Sequence, residues 1–197
     1  MLYSNSLKAQ YQKINIFFQK EKLHAYNYCR NELKTDQDYL HVKKIKDTML
    51  IKLLEGECSA IASNYDLFKT NTVKLLNLND YDKKKNFIII NKNIKTNRKP
   101  TPVLTVLKFE KNDKYYAIHN YEAYYDIKQD SLMAGYKPEK EFQILENYFY
   151  NKRTENKIFE NFNDAQTYSN DFSTYYIVAR ISGKMITKKI YFANESH

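Results

Sequence analysis

Glycine is scarce in this chain of 197 residues, occurring only as Gly56, Gly135 and Gly183. Average usage of roughly 7% would supply about fourteen. Glycine lets a backbone take positive φ or approach a phosphate closely. Its scarcity leaves almost no material for phosphate loops, nucleophile elbows or dinucleotide fingerprints, and no nucleotide or other cofactor is expected. Tryptophan is absent altogether.

Cysteine is nearly as rare. Cys29 and Cys58 are the only two, with no CxxC spacing, and they read as free thiols of a cytoplasmic protein. The histidines His24, His41, His119 and His197 form no HxxxH or mixed Cys/His pair, so no metal site is expected. The N-terminus lacks the apolar core and small-residue cleavage site of a signal peptide. No stretch approaches ~18 apolar residues, so no membrane is expected among the partners.

What is present suffices for a core. Hydrophobic residues make up 43% of the chain, with nineteen tyrosines and eleven phenylalanines. Lys and Arg outnumber Asp and Glu by 32 to 23, a net charge of +9. Such a field favours polyanions: nucleic acid or an acidic protein surface.

Residues 1–78 have helical periodicity. Ile14, Phe17, Phe18, Ala25, Tyr28 and Leu33 line a helix ending near Lys34. Asp36 or Asp38 is placed to cap the next one. Val42, Ile45, Met49 and Leu53 then form an amphipathic stripe, and Gly56 is expected to stop that helix. Another begins at Ser59, with Ile61, Tyr65 and Phe68 on one face.

The period changes near residue 80. Residues 87–90, 103–109 and 115–121 read as strands, the last two as a hairpin. Pro138, Glu139 and Glu141 open a helix with Phe142, Leu145 and Phe149 on its buried face. A short helix is expected after Asn163. Residues 174–181 and 185–192 form the strongest hairpin signal, turning at Ser182 and Gly183. The pattern predicts an α+β fold, a helical N-terminal half packed on a mostly antiparallel sheet of four to six strands with two further helices. The candidate regions are 1–78 and 84–197, separate or continuous, with a boundary at 79–85.

Two constellations bear on function. Residues 83–100 carry Lys83, Lys84, Lys85, Lys92, Lys95, Arg98 and Lys99 and no acid. Lysines supply point charges for phosphates, and each neutralised phosphate adds affinity through counterion release. The clusters bracket an apolar strand and are expected to reach one edge of the sheet. Lys188 and Lys189 are candidates to extend the patch. Tyr115, Tyr116 and Tyr121 are candidates to stack on unpaired bases.

The second constellation is Glu55-Gly-Glu-Cys-Ser-Ala-Ile-Ala-Ser-Asn64. A cysteine two residues after a glycine at a helix start is similar to the G-x-C segment of papain-like peptidases. That resemblance implies Cys58 as nucleophile, His119 as base and Asp126 as orienting acid. The chain departs from that pattern: seven residues separate His119 from Asp126 where a full hairpin belongs. A lone cysteine on an amphipathic helix is far more often core. The preferred reading is therefore a non-enzymatic basic protein that contacts nucleic acid or a nucleic-acid-bound complex, as an accessory factor of a mobile element, plasmid or virus would. The alternatives are the cysteine hydrolase and a protein–protein inhibitor or scaffold with an apolar interface.

Overall fold

The computed structural model describes residues 2–78, 85–93, 103–111, 114–120, 131–151, 158–160 and 172–193. The long helix α1 (Leu2–Thr35) buries Ile14, Phe18 and Ala25, spaced by four and seven residues along one face. Asp36 caps the short α2 (Gln37–Lys44), its carboxylate accepting the Tyr39 amide at 2.8 Å. Lys46 ends that helix by taking φ 58°, in the left-handed region. Asp47 then starts α3 (Thr48–Leu78), accepting the amides of Met49 at 3.1 Å and Leu50 at 3.0 Å.

One boundary differs from expectation: α3 runs unbroken through Gly56. A helical glycine costs about 1 kcal/mol relative to alanine. Packing of so long a helix outweighs that, since burying one ring the size of Phe68, which is fully buried, contributes about 1.5–3 kcal/mol.

The chain continues through β1 (Phe87–Asn93), β2 (Val103–Phe109), β3 (Tyr115–Asn120), β4 (Ser131–Ala134), α4 (Lys140–Asn151), β5 (Ile158–Phe159), β6 (Phe172–Ile181) and β7 (Lys184–Ala193). The strands form one antiparallel sheet in the order β4-β3-β2-β1-β6-β7-β5. Six are the sheet proper, and β5 adds a two-residue edge. The α+β architecture thus matches the sequence pattern. The β6–β7 turn is the expected one, with Ser182 at φ 50° and Gly183 at φ 78°, the two positive values that match the twist of a two-residue hairpin. Strand β4 had no sequence signal, and the helix expected after Asn163 falls outside the described residues.

Alternation along the strands divides two cores. Phe87, Ile89, Leu107, Ile118 and Val178 face α1 and α3, packing on Phe18, Phe68, Leu75 and Leu76. Ile88, Ile90, Leu104, Val106 and Ile177 face the other way, onto Phe142, Leu145 and Phe149 of α4. Among the described residues the layers are therefore helical hairpin, sheet and single helix.

A buried polar row lies between α3 and the sheet. Asn91 accepts from Thr105 at 2.8 Å and donates to the Tyr176 carbonyl at 3.0 Å. Asn71 donates to Thr105 at 3.1 Å and to Asn120 at 2.5 Å. Partnered in this way, the amides avoid the penalty of unpaired burial.

The hairpin is longer than the sheet it covers. Lys13 of α1 reaches the Met185 carbonyl at 2.6 Å, near the β6–β7 turn. Asn64 of α3 reaches Asn93, at the opposite end of β1, at 3.0 Å. Residues 48–63 of α3 therefore project past the Asn93 end of the sheet, over about 24 Å at 1.5 Å per residue. The expected buried stripe falls on this projection, and only Val42 of its four residues is buried. Ile45 is 57% exposed, Met49 82% and Leu53 62%. The period was helical, but among the described residues no layer lies opposite to cover it.

Candidate binding surfaces

The thiol reading is overturned by the register of the helical hairpin. Tyr11–Asn77, Lys22–Asp66 and Arg30–Glu55 contacts run antiparallel along α1 and α3. That register carries Cys29 and Cys58 to a Cα separation of 5.5 Å, and the two form a disulfide. Neither is a free thiol, and Cys58 has no thiolate to act as nucleophile. Its side chain is fully buried, as expected of a structural cysteine.

His119 is not its partner either. It pairs across the sheet with Leu104, and Leu104 belongs to the α4 core. Directly opposed residues share a sheet face, so His119 faces α4 while Cys58 lies in α3 on the other side. Burial holds the His119 imidazole below its ordinary range. Asp126 lies outside the described residues. Among the described residues no three His, Cys, Asp or Glu side chains gather to hold a metal ion.

The basic candidates scatter. Lys92 is tucked under α4, with its Nζ 2.5 Å from Glu139 and 5.2 Å from the Phe142 ring centroid. Lys188 pairs with Glu160 on the α4 face. Lys189 points the other way, 3.8 Å from Glu21 of α1. Tyr115 donates to Glu146 at 2.5 Å and packs on the α4 core. Tyr116 packs on the hairpin core, so the two do not make one stacking platform. Lys83, Lys84, Lys95, Arg98, Lys99 and Tyr121 lie outside the described residues.

Strand direction also separates the two ends of the basic run. Lys85 precedes β1 at its Phe87 end, whereas the chain toward Lys95 leaves from Asn93. Seven strand residues span about 20–23 Å. The described anchors of the two clusters are thus at opposite ends of the sheet, and not on one edge.

The Phe87 end gathers other lysines in their place. Phe87 pairs with Phe109 and with Arg180, and Arg180 pairs with Met185. The β2–β3 turn and the β6–β7 turn therefore share this end with Lys85. The Gly135 amide donates to the Tyr115 carbonyl at 3.0 Å, bringing the chain after β4 here as well. Lys85, Lys111, Lys114, Lys137 and Lys184 are all exposed along this rim. Glu110 is the acid among the described residues here, and it accepts a hydrogen bond from Asn86 at 3.0 Å; Asp113 stands between Lys111 and Lys114 in the sequence, outside the described residues.

Sequence reasoning missed Lys111, Lys114 and Lys137 because they are scattered in the chain, and only strand order lines them up. Elsewhere acids are engaged within the fold. Glu55 takes Tyr39 at 2.6 Å and Arg30 at 2.9 Å, hydrogen bonds that hold its carboxyl below the usual range. Glu146 takes Lys108 at 2.9 Å as well as Tyr115.

No described helix is long and apolar enough to cross a membrane. In comparisons with known proteins, no family model, curated protein or solved structure matches this chain.

Proposed function

We propose that this chain is a non-enzymatic binding protein that holds a nucleic-acid backbone along the lysine rim at the Phe87 end of its sheet. The observation that carries the reading is the row of five exposed lysines brought together from four chain segments, with Glu110 the acid among the described residues there. From β4 to β7 the rim crosses about 24 Å at a strand spacing of ~4.8 Å. A nucleic-acid strand offers one phosphate per ~3.4 Å of duplex axis, so about seven phosphates fall within that length. Lysine recognises phosphate by charge and carries no base code, so binding is independent of sequence.

The test compares two variants for affinity toward duplex DNA, single-stranded DNA and RNA at low salt. One carries Gln at Lys85, Lys111, Lys114, Lys137 and Lys184. The other carries Gln at Lys95, Arg98 and Lys99. The rim variant should lose most of its affinity and the second should keep it. Equal losses, or no binding by the native chain, would remove the rim as the site.

A further inference from the structure

Cys29 and Cys58, 29 residues apart in sequence, close a loop that holds the end of α1, all of α2 and the first part of α3. The rest of the helical hairpin is tied to the sheet. Ile14, Phe18, Tyr65, Phe68, Leu75 and Leu76 share one core with β1, β2, β3 and β6. Tyr39, Val42 and Cys58 are buried as well. Among the described residues, however, they belong to neither of the two cores. The loop is therefore a packing unit of its own, joined to the body at the disulfide.

The other described polar ties inside the loop are weak. Glu55 meets Arg30 at 2.9 Å and Tyr39 at 2.6 Å, and the two side chains of the ion pair are 34% and 35% exposed. Ion pairs so exposed add little stability. Helix α2 has eight residues, short of the ~12–15 at which an isolated helix is even marginal in water. It keeps its form by packing on α1 and α3, and the disulfide fixes the distance between those two helices.

We infer that the Cys29–Cys58 bond is a redox-sensitive latch, whose reduction by a dithiol lets residues 30–57 open while the hairpin core and the sheet stay folded. Cys58 is fully buried and Cys29 half-buried, so the thiolate of the dithiol attacks the Cys29 Sγ. The Cys58 sulfur leaves as a thiolate and takes a proton. The second thiol of the dithiol then displaces the Cys29 sulfur, and the reductant ends as a disulfide. Two electrons and two protons pass to the cysteine pair. Open forms of the loop regain the conformations that the cross-link denied them. Proteins open first in their least stable cooperative unit, and here that unit is the loop. The latch lies toward the Asn93 end of the sheet and the lysine rim at the Phe87 end, so this inference does not rest on the nucleic-acid reading.

The experiment follows amide hydrogen exchange of the full chain by mass spectrometry, oxidised and in dithiothreitol, without denaturant. Amides of residues 37–57 should exchange about a hundredfold faster in the reduced chain, the scale of the lost loop constraint. Those of β1 and β6 should remain at least about a hundredfold better protected than the loop in the same sample. Replacing dithiothreitol by oxidised glutathione should restore the loop's protection. Cys29→Ser with Cys58→Ser should show the reduced pattern with or without dithiothreitol, which assigns the change to this bond. Three results would overturn the inference in the native chain alone. One is unchanged protection of residues 37–57 on reduction. Another is β1 and β6 falling to the level of the loop, which would make the bond a fastener of the whole fold. The third is a bond that dithiothreitol leaves intact while the chain is folded.

Discussion

Cys29 and Cys58 join α1 to α3 by a disulfide in the part of the helical hairpin that extends beyond the sheet. There, among the described residues, the two helices pack on each other and on α2. Cross-linking positions 29 residues apart removes conformations from the unfolded chain, worth about 3 kcal/mol in the loop-entropy view. Urea unfolding with and without reductant should show a loss of that order, and Cys58→Ala should match the reduced protein. The native, non-reduced chain should give no thiol in a thiol titration. One or two rapidly labelled thiols would contradict the pairing. The cytoplasmic expectation drawn from free thiols loses its ground, because disulfides persist in oxidising compartments.

Gly56 sits in the exposed middle of α3, and a Cβ built there meets nothing within 4 Å. Gly56→Ala should therefore stabilise the fold by about 1 kcal/mol, the difference in helix propensity. Thermal unfolding checks this. A neutral or negative effect would indicate that α3 bends or breaks at this residue.

That glycine also explains most of what the sequence concealed. The two sheet faces, the hairpin at Ser182 and the α4 stripe follow from periods and turn chemistry, and each was legible. Read as a helix stop, Gly56 hid α3's continuity. A continuous α3 folded back on α1 sets position 58 opposite position 29. The same misreading gave the stripe through Ile45, Met49 and Leu53 a core to face. Periodicity reports that a helix has an apolar side, and it does not report whether anything covers that side. The lysine rim was illegible for another reason: Lys85, Lys111, Lys137 and Lys184 meet through strand order, which local pattern does not encode.

Asn91 is fully buried, and its side chain links Thr105 and the Tyr176 carbonyl under α3. Asn91→Ala removes the acceptor of the Thr105 hydroxyl, which keeps its bond from Asn71, and the side-chain donor to the Tyr176 carbonyl, so a loss of about 1–3 kcal/mol is expected. Asn147→Ala on the exposed side of α4 should stay within about 0.5 kcal/mol. Paired denaturant curves make the comparison. Similar small effects at both sites would show that water enters the polar row.

His119 gives a pH signature. Burial lowers its folded pKa below the ordinary 6.5, so the neutral form is favoured by folding. Its contribution is present above that value and is lost as pH falls through the folded pKa. Glu160 acts lower. Hydrogen bonds from Lys188 and then Tyr148 hold its carboxyl below 4.5, so its contribution fades as pH falls through that depressed value. His119→Asn should flatten the stability profile just below pH 6.5, and Glu160→Gln should flatten it only below 4.5. Unfolding midpoints measured from pH 7 to 3 separate them. Identical profiles would contradict both assignments.

The central claim is that phosphates are held by the lysine rim, and salt reads it most directly. If each of its five lysines neutralises one phosphate, log affinity for duplex DNA should fall linearly with log salt at a slope of about −4.5. Glutamine at Lys85, Lys111, Lys114, Lys137 and Lys184 should bring that slope near zero while leaving the melting temperature almost unchanged, since exposed lysines add little stability. A salt-independent affinity, or the same steep slope in the variant, would contradict the account.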